Sequence, residues 1–563
     1  MPKFHGPDLP LICFPTVILD GQGHINTLAL YSYKAAIFAY ILYRLLFRFT
    51  LKVFYGTIVV SNTHHIPETG KPCIVCANHS NSLTDALRNM LRLTAKSTQF
   101  GKKTFTSWLI ERAGTVPIHR RKDFDGPVDN TQAMTELMKA LEAGDAVMMF
   151  PEGMSRFHPT IAPLKTGVAR LASDVLSQHR DDPDFELYIL NCSITYMHRQ
   201  HWRSDVLVTW HPPMVLRPKD NPELLKPAEP ETIRAVTRQI YEQISSGTFD
   251  SPSWHLVQLA KLAARMYAPL GTTMSLGDHV KITRTFLEAF KDAHEDNSDD
   301  NQPVHPDVVK LTRLQSDLKV RRVFCSPRIM SSLTNPKVYQ DRLINYGIKD
   351  DRVRHPLSRH DILRRMMIRL FWSSLLLSIS IPGLFFWLPV MLVTFYAVHE
   401  FKKSGPIFDT FDEIAQYKLV YGLISGICVW IGGVILTLPV AFFTFFLIPA
   451  MMWMTLRWME DCVASTRAFL ALFRLLRVGK RTLNEMRSLR EGIHRQIMEL
   501  AISLGLPSDP EEFFSQAGSQ EKGRVMGVWQ SKAGYFSIRR RRKRDWNETL
   551  RLYDKVDYPD DDS

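Results

Sequence analysis

The stretch Cys73-Ile74-Val75-Cys76-Ala77-Asn78-His79-Ser80-Asn81-Ser82-Leu83-Thr84-Asp85-Ala86-Leu87 decides the reading of this chain. Five apolar residues with the look of a buried strand run straight into Asn78 and His79. An acid, Asp85, follows the histidine, and a helical pattern begins there. A carboxylate set against an imidazole fixes which ring nitrogen is free to take a proton. Asn78, Asn81 and Asp85 crowd the same turn, which argues against a histidine that merely fills space. Cys73 and Cys76 form a lone pair of cysteines with no second pair to complete a metal site, and read as buried strand residues.

Outward from this stretch, short apolar runs alternate with helical patterns over residues 71–250: Cys73–Ala77, Ala146–Phe150, Leu187–Ile194 and Val206–Trp210. That alternation is the rhythm of a mixed α/β domain. Three clusters sit at its strand ends. Gly114-Thr115-Val116-Pro117-Ile118-His119-Arg120-Arg121 joins turn formers to arginines, which suit two-point phosphate recognition. Phe150-Pro151-Glu152-Gly153-Met154-Ser155-Arg156, followed by Lys165, closes a strand with a glycine that admits close backbone approach. Ser155, Arg156 and Lys165 supply donors and positive charge for a phosphate; the competing reading is a surface turn with a salt-bridged Glu152. Ile189-Leu190-Asn191-Cys192-Ser193-Ile194-Thr195-Tyr196 reads as a buried strand ending in polar residues.

Composition narrows the partners. A net charge of +13 favours an anionic partner, and the hydropathy of the C-terminal half selects lipid over nucleic acid. Seven scattered cysteines argue for a reducing compartment. No basic segment leads into a long apolar core at the N-terminus, so a cleaved signal peptide is not expected. Residues 35–60 are apolar but carry Arg44, Arg48 and Lys52 at helical spacing, the pattern of a helix lying in or crossing the membrane interface.

Residues 253–365 read as helical and polar, with the acidic run Asp292–Asp300 as a solvated loop. Two uncharged segments follow, Leu370–Val398 and Leu419–Leu456. Since roughly 20 apolar residues cross a bilayer, the first suffices for one tilted span and the second nearly for two. Pro382, Pro389, Pro439 and Pro449 make each segment either a kinked span or a hairpin that dips in and returns. Basic flanks around Arg364 and Arg365, and again from Arg457 to Arg481, face the cytosol. The run Arg539–Arg544 meets anionic lipid or is a solvated tail.

Read in order, the four clusters resemble the glycerolipid acyltransferase superfamily, closest to its fungal-type glycerol-3-phosphate/dihydroxyacetone-phosphate branch. Phe-Pro-Glu-Gly-x-Ser-Arg downstream of Asn-His is its most specific mark. Five residues separate His79 from Asp85 where the superfamily usually has four, and the fungal-type branch shares the extra one. The resemblance implies an α/β acyltransferase domain with a mixed sheet flanked by helices, plus an α-helical C-terminal membrane region. The corresponding domain boundaries are an N-terminal segment 1–60, a catalytic domain 61–250, a helical connection 251–365, a membrane region 366–460 and a cytosolic helical region with a charged tail 461–563.

By position, the resemblance implies that His79 is the general base and Asp85 its orienting partner. Arg120, Glu152, Gly153, Ser155 and Arg156 would hold the glycerol-phosphate, and residues around Asn191 to Tyr196 would help shape the acyl site. The implied reaction is acyl-CoA-dependent transfer to the sn-1 hydroxyl of glycerol-3-phosphate or dihydroxyacetone phosphate at the endoplasmic reticulum membrane, with the catalytic domain facing the cytosol. Acyl-CoA is a co-substrate, no cofactor or metal is implied, and the partners are these substrates and membrane lipids, not nucleic acid. The rival acceptor is lysophosphatidate or another lysophospholipid. The rival of another class is a catalytically silent lipid-binding scaffold.

Overall fold

The β-branched run Thr57-Ile58-Val59-Val60-Ser61 forms strand β1 rather than the end of the N-terminal helix expected over residues 35–60. Four β-branched side chains in a row, Thr57 to Val60, favour an extended, pleated surface over a helix. A computed structural model describes residues 54–513 apart from 80–91, 102–106, 108–114, 120–128, 156–157, 198–204, 269–274, 299–338, 405–413 and some short breaks between 56 and 511. The rest of the N-terminal helix expectation and the basic tail lie outside the described residues.

The chain divides into two compact units. In the first, residues 1–248 with 406–416, the described strands are β1, β2 (Cys73–Ala77), β3 (Arg92–Lys96), β4 (Val116–Ile118), β5 (Ala146–Met149), β6 (Leu187–Tyr196), β7 (Asp205–Trp210) and β8 (Met214–Leu216). They form one mixed sheet in the order β1-β7-β6-β2-β5-β3-β4. β2 lies centrally, parallel to both β5 and β6. Its five residues are all buried, as expected of a strand covered on both faces.

Strand β6 is long enough to take two antiparallel partners end to end, β8 on Leu187–Ile189 and β7 on Cys192–Tyr196. The break between them falls at Pro212 and Pro213, which have no N–H to give to a ladder. The Asn191 carbonyl still accepts from the His211 N–H at 3.0 Å, so the gap is bridged.

Helices α1 (Thr131–Glu142), α2 (Gly167–Gln178) and α3 (Pro230–Ser245) pack on one face of the sheet. Ala133, Leu137, Ala140 and Leu141 make the buried stripe of α1, and Ile233, Thr237, Ile240 and Ile244 that of α3. Both stripes have the three-to-four residue spacing of a one-sided helix. Each fully buried leucine contributes about 1.5–3 kcal/mol by leaving water. The mixed sheet flanked by helices is therefore as the sequence implied.

The second unit, residues 249–405 with 417–563, is helical in its described part. It contains α4 (Trp254–Tyr267), α5 (Leu276–Ser298), α6 (Asp350–Arg354), α7 (Arg359–Ser404), α8 (Ile414–Leu436, straddling the division), α9 (Ala441–Val478) and α10 (Lys480–Ser503). Ser253 caps α4, its Oγ accepting from the Leu256 N–H at 3.3 Å. Helix α5 runs through Asp292 to Ser298, so that part of the expected acidic loop is helical. The apolar face built by Ile282, Phe286, Leu287 and Phe290 carries the helix forward. Its core also holds a buried ion pair: Arg490 Nε and Nη2 donate to Asp350 Oδ1 and Oδ2 at 2.8 and 3.0 Å, and Tyr339 Oη donates to Oδ1 at 2.7 Å.

Among the described residues three helices, over Arg359–Lys403, Ile414–Leu436 and Leu438–Val478, are long and apolar enough to cross a membrane. The first apolar segment is one continuous helix through Pro382 and Pro389; the second breaks in two at Leu438-Pro439-Val440. Helices α7 and α9 pack closely where a Cβ on Gly383 would collide with Thr455. Nearby, Trp387 Nε1 donates to the Met452 carbonyl at 2.9 Å. Phe385 and Phe442 are 75% and 74% exposed, so the outer faces of these helices are suited to lipid rather than water.

Candidate active site

Parallel pairing brings the C-terminal ends of β2 and β5 to the same edge of the sheet, where ligands of open α/β folds bind. Strand β2 keeps register with β6 as far as Ala77 opposite Cys192. At Asn78 the side chain takes over from the backbone. Its Nδ2 donates to the Ile194 carbonyl at 2.9 Å, and its Oδ1 accepts from the Ile194 N–H at 2.7 Å. The amide thus imitates one further rung of the ladder while the main chain turns out of the sheet.

The next residue is His79. Its backbone N–H donates to Glu152 Oε1 at 2.6 Å. Its imidazole stacks on Phe150, ring centroids 4.1 Å apart and planes 17° from parallel. Phe150 follows the last residue of β5, so the neighbouring strand end supplies the platform for the ring.

Glu152 is 5% exposed. Its second oxygen accepts from the Ala162 N–H at 3.2 Å. One carboxylate therefore ties the end of β2 to the far limb of the loop 151–166. A bond from the Lys165 N–H to the Pro151 carbonyl at 2.8 Å closes the base of that loop.

Within the loop, Gly153 has φ +70°, and a Cβ there would lie 2.5 Å from Lys165 Nζ. The Lys165 side chain thus lies across the bare glycine. Helix α2 begins two residues later, and its N-terminal N–H groups and dipole favour an anion at this edge. Gly153→Ala introduces a left-handed alanine, costing about 1–2 kcal/mol, and drives Lys165 from its seat. Because displacement of about 1 Å can cost roughly 100-fold in rate, this variant is expected to lose transfer activity about 100-fold. Circular dichroism should show an unchanged secondary-structure content, since Gly153 lies outside the helices and strands.

Of the residues expected from the sequence, the structure brings His79, Glu152 and Gly153 together, with Ser155 half-buried on the same loop. Asp85, Arg120 and Arg156 lie outside the described residues. The polar residues of β6 fasten the strand to the end of α3. Asn191 Nδ2 donates to Gln243 Oε1 at 2.7 Å, and Thr195 Oγ1 donates to the Gly247 carbonyl at 3.0 Å. Ser193 Oγ donates to the Ile244 carbonyl at 2.7 Å and lies 2.7 Å from His211 Nε2. This buried Ser–His pair spends its hydroxyl proton on a carbonyl and serves packing. Cys73 and Cys76 are buried, and burial pushes the Cys73 thiol up to about 12 and that of Cys76 further in the same direction. A thiol so raised is a poor nucleophile at neutral pH.

Sequence reasoning noticed Asn78 but gave it no partner, and missed the Phe150 platform and the peptide groups that Glu152 holds. The adjacency of Asn to His at a strand end was the available signal.

A histidine at the mouth of a parallel strand pair, a Glu-Gly turn beside it and a cation across the glycine thus meet at one edge of the sheet. Residues 57–195 match the acyltransferase family, and residues 297–508 match the family described as "Glycerol-3-phosphate acyltransferase 2 C-terminal domain". The chain thus has an acyltransferase-family domain at residues 57–195 and, behind it, this second matched region. It is 24% identical over 306 residues to glycerol-3-phosphate O-acyltransferase 2 of Saccharomyces cerevisiae, covering 53% of this chain and 37% of that one. It is 23% identical over 309 residues to glycerol-3-phosphate O-acyltransferase 1 of the same yeast, covering 53% and 36%. The matched region thus spans well under half the length of these curated relatives. A solved structure, the 1-acyl-sn-glycerophosphate acyltransferase PlsC of Thermotoga maritima, aligns with TM-score 0.27 and 19% identity over 38% of this chain and 82% of that one.

Proposed function

We propose that the protein is an acyl-CoA-dependent sn-1 O-acyltransferase of glycerol-3-phosphate, dihydroxyacetone phosphate or both, yielding lysophosphatidate from the first. The observation that carries this reading is the placement of His79 on Phe150, its backbone held by Glu152, beside the Gly153–Lys165 crossing. The matched C-terminal family and the two yeast relatives support glycerol-3-phosphate as acceptor.

An alcohol is a poor nucleophile at neutral pH. In the proposed reaction the hydroxyl gives its proton to the His79 imidazole as its oxygen attacks the thioester carbon. The tetrahedral oxyanion collapses, the C–S bond breaks, and CoA thiolate leaves and recovers the proton from the imidazolium. Asp85 steadies the imidazolium. Arg120, Ser155, Arg156 and Lys165 bind the phosphate, as donors and cations suit. The three apolar helices hold the protein where acyl chains and products partition. The organelle proposed is the endoplasmic reticulum, with the site on the cytosolic face.

Acceptor competition tests the assignment. Membranes carrying the protein, given labelled acyl-CoA with equal glycerol-3-phosphate, dihydroxyacetone phosphate and lysophosphatidate, are expected to label lysophosphatidate or acyl-dihydroxyacetone phosphate first. Label that enters phosphatidate directly from added lysophosphatidate, with none in the monoacyl products, would reassign the acceptor.

A further inference from the structure

The loop acid of the site does not present a bare carboxylate to the rim. Both its oxygens accept from main-chain N–H groups, His79 at 2.6 Å and Ala162 at 3.2 Å. On the other side of the same backbone, Asn78 grips both the N–H and the carbonyl of Ile194. The two side chains come from opposite directions, one reaching β6 and one reaching from the end of β5. Between them lies the peptide that carries the imidazole.

We infer that Asn78 and Glu152 are positioning residues that clamp the backbone of His79 from both sides and so fix the height and direction of its ring. The inference rests on the reading of His79 as the base. It gives Glu152 a task different from holding the acceptor.

Geometry explains the residue types. Where β2 and β6 part company after Ala77, a side chain must satisfy Ile194, or a buried N–H and carbonyl go unpaired. Asn alone of the short side chains offers one donor and one acceptor in a plane, as a peptide does. At position 152 both main-chain partners are donors. A carboxylate supplies two acceptors; the isosteric amide of glutamine supplies one acceptor and turns its NH2 against the other N–H. Aspartate is a methylene shorter and cannot span His79 and Ala162 together. Phe150 completes the arrangement by limiting ring rotation from below.

Glu152→Gln and Asn78→Ala test this in the full-length membrane protein. Two readouts are taken: steady-state kinetics with glycerol-3-phosphate, and hydrogen exchange at the His79 amide with the Ile74–Cys76 amides as a fold control. For Glu152→Gln, kcat is expected to fall about 100-fold, the scale of a 1 Å misplacement. KM for the acceptor stays within about two-fold, because uniform binding is untouched. The His79 amide exchanges faster while residues 74–76 stay protected. Asn78→Ala gives the same split. A raised acceptor KM with kcat preserved would return Glu152 to substrate binding and overturn the clamp. So would unchanged exchange at His79, or loss of protection at 74–76 to the same degree, which would make the residues parts of the fold alone. If the wild-type protein acylates none of the offered acceptors, the proposed function falls, and the exchange measurement still decides the clamp.

Discussion

His79→Ala is expected to reduce acyl transfer at least about 100-fold, and as much as about 10,000-fold, the range that a positioned general base supplies. The substitution is well isolated. Alanine keeps the backbone N–H that donates to Glu152 Oε1, so the peptide remains clamped between β2 and the loop. Asn78 still bridges to Ile194. The imidazole goes, and with it the stacking on Phe150, a contact worth about 0.5–1.5 kcal/mol on a half-exposed ring. Secondary structure and membrane recovery should match wild type while turnover collapses. Assay of both proteins at equal abundance in the same membranes measures the ratio. A kcat above one tenth of wild type would remove the imidazole from the chemistry.

The second large effect is on stability, in the helical unit. Arg490 and Asp350 are 6% and 5% exposed and share a two-point ion pair, with Tyr339 on the same carboxylate. Arg490→Met leaves a carboxylate in the core that keeps the Tyr339 hydrogen bond but loses its two-point cation. Breaking one half of a buried pair costs about 3–5 kcal/mol. The double variant Asp350→Leu/Arg490→Met removes both charges and is expected to recover most of that loss. Denaturant unfolding of the detergent-solubilised protein reads both. A single variant within about 1 kcal/mol of wild type would show that the pair adds nothing to the docking of α10 on α6.

How much of this was legible in the sequence follows from what residue type can and cannot encode. The four central strands β2, β5, β6 and β7 are each built on an apolar run, and burial on both faces writes itself into composition. Strands β3, β4 and β8 carry no such apolar run. β3 begins with Arg92 and ends with Lys96, and β4 is three residues around Pro117 at the sheet edge. β8 is three residues placed by β6 rather than by its own pattern. β1 hid inside an apolar run read as helix, because apolar content alone does not separate branched strand residues from helical ones.

The membrane helices were legible as segments, but the outcome at the prolines was not. Pro382 and Pro389 are absorbed within α7, whereas Pro439 falls in the turn between α8 and α9. In the site, His79, Glu152 and Gly153 stood out by motif. Their arrangement did not, since Glu152 accepts from the peptide N–H groups of His79 and Ala162, and a backbone group has no residue-type signature.

The central claim is that an imidazole at the end of β2 activates a hydroxyl for direct attack on a thioester. Its most direct test is release of CoA thiol from acyl-CoA by wild type and His79→Ala, with and without glycerol-3-phosphate. The account predicts that wild type releases thiol only when the acceptor is present, one for each ester formed, with no acyl group left on the chain, and that the variant releases none above background. Acceptor-independent release with the acyl group bound to the protein, or equal release by the variant, would contradict it.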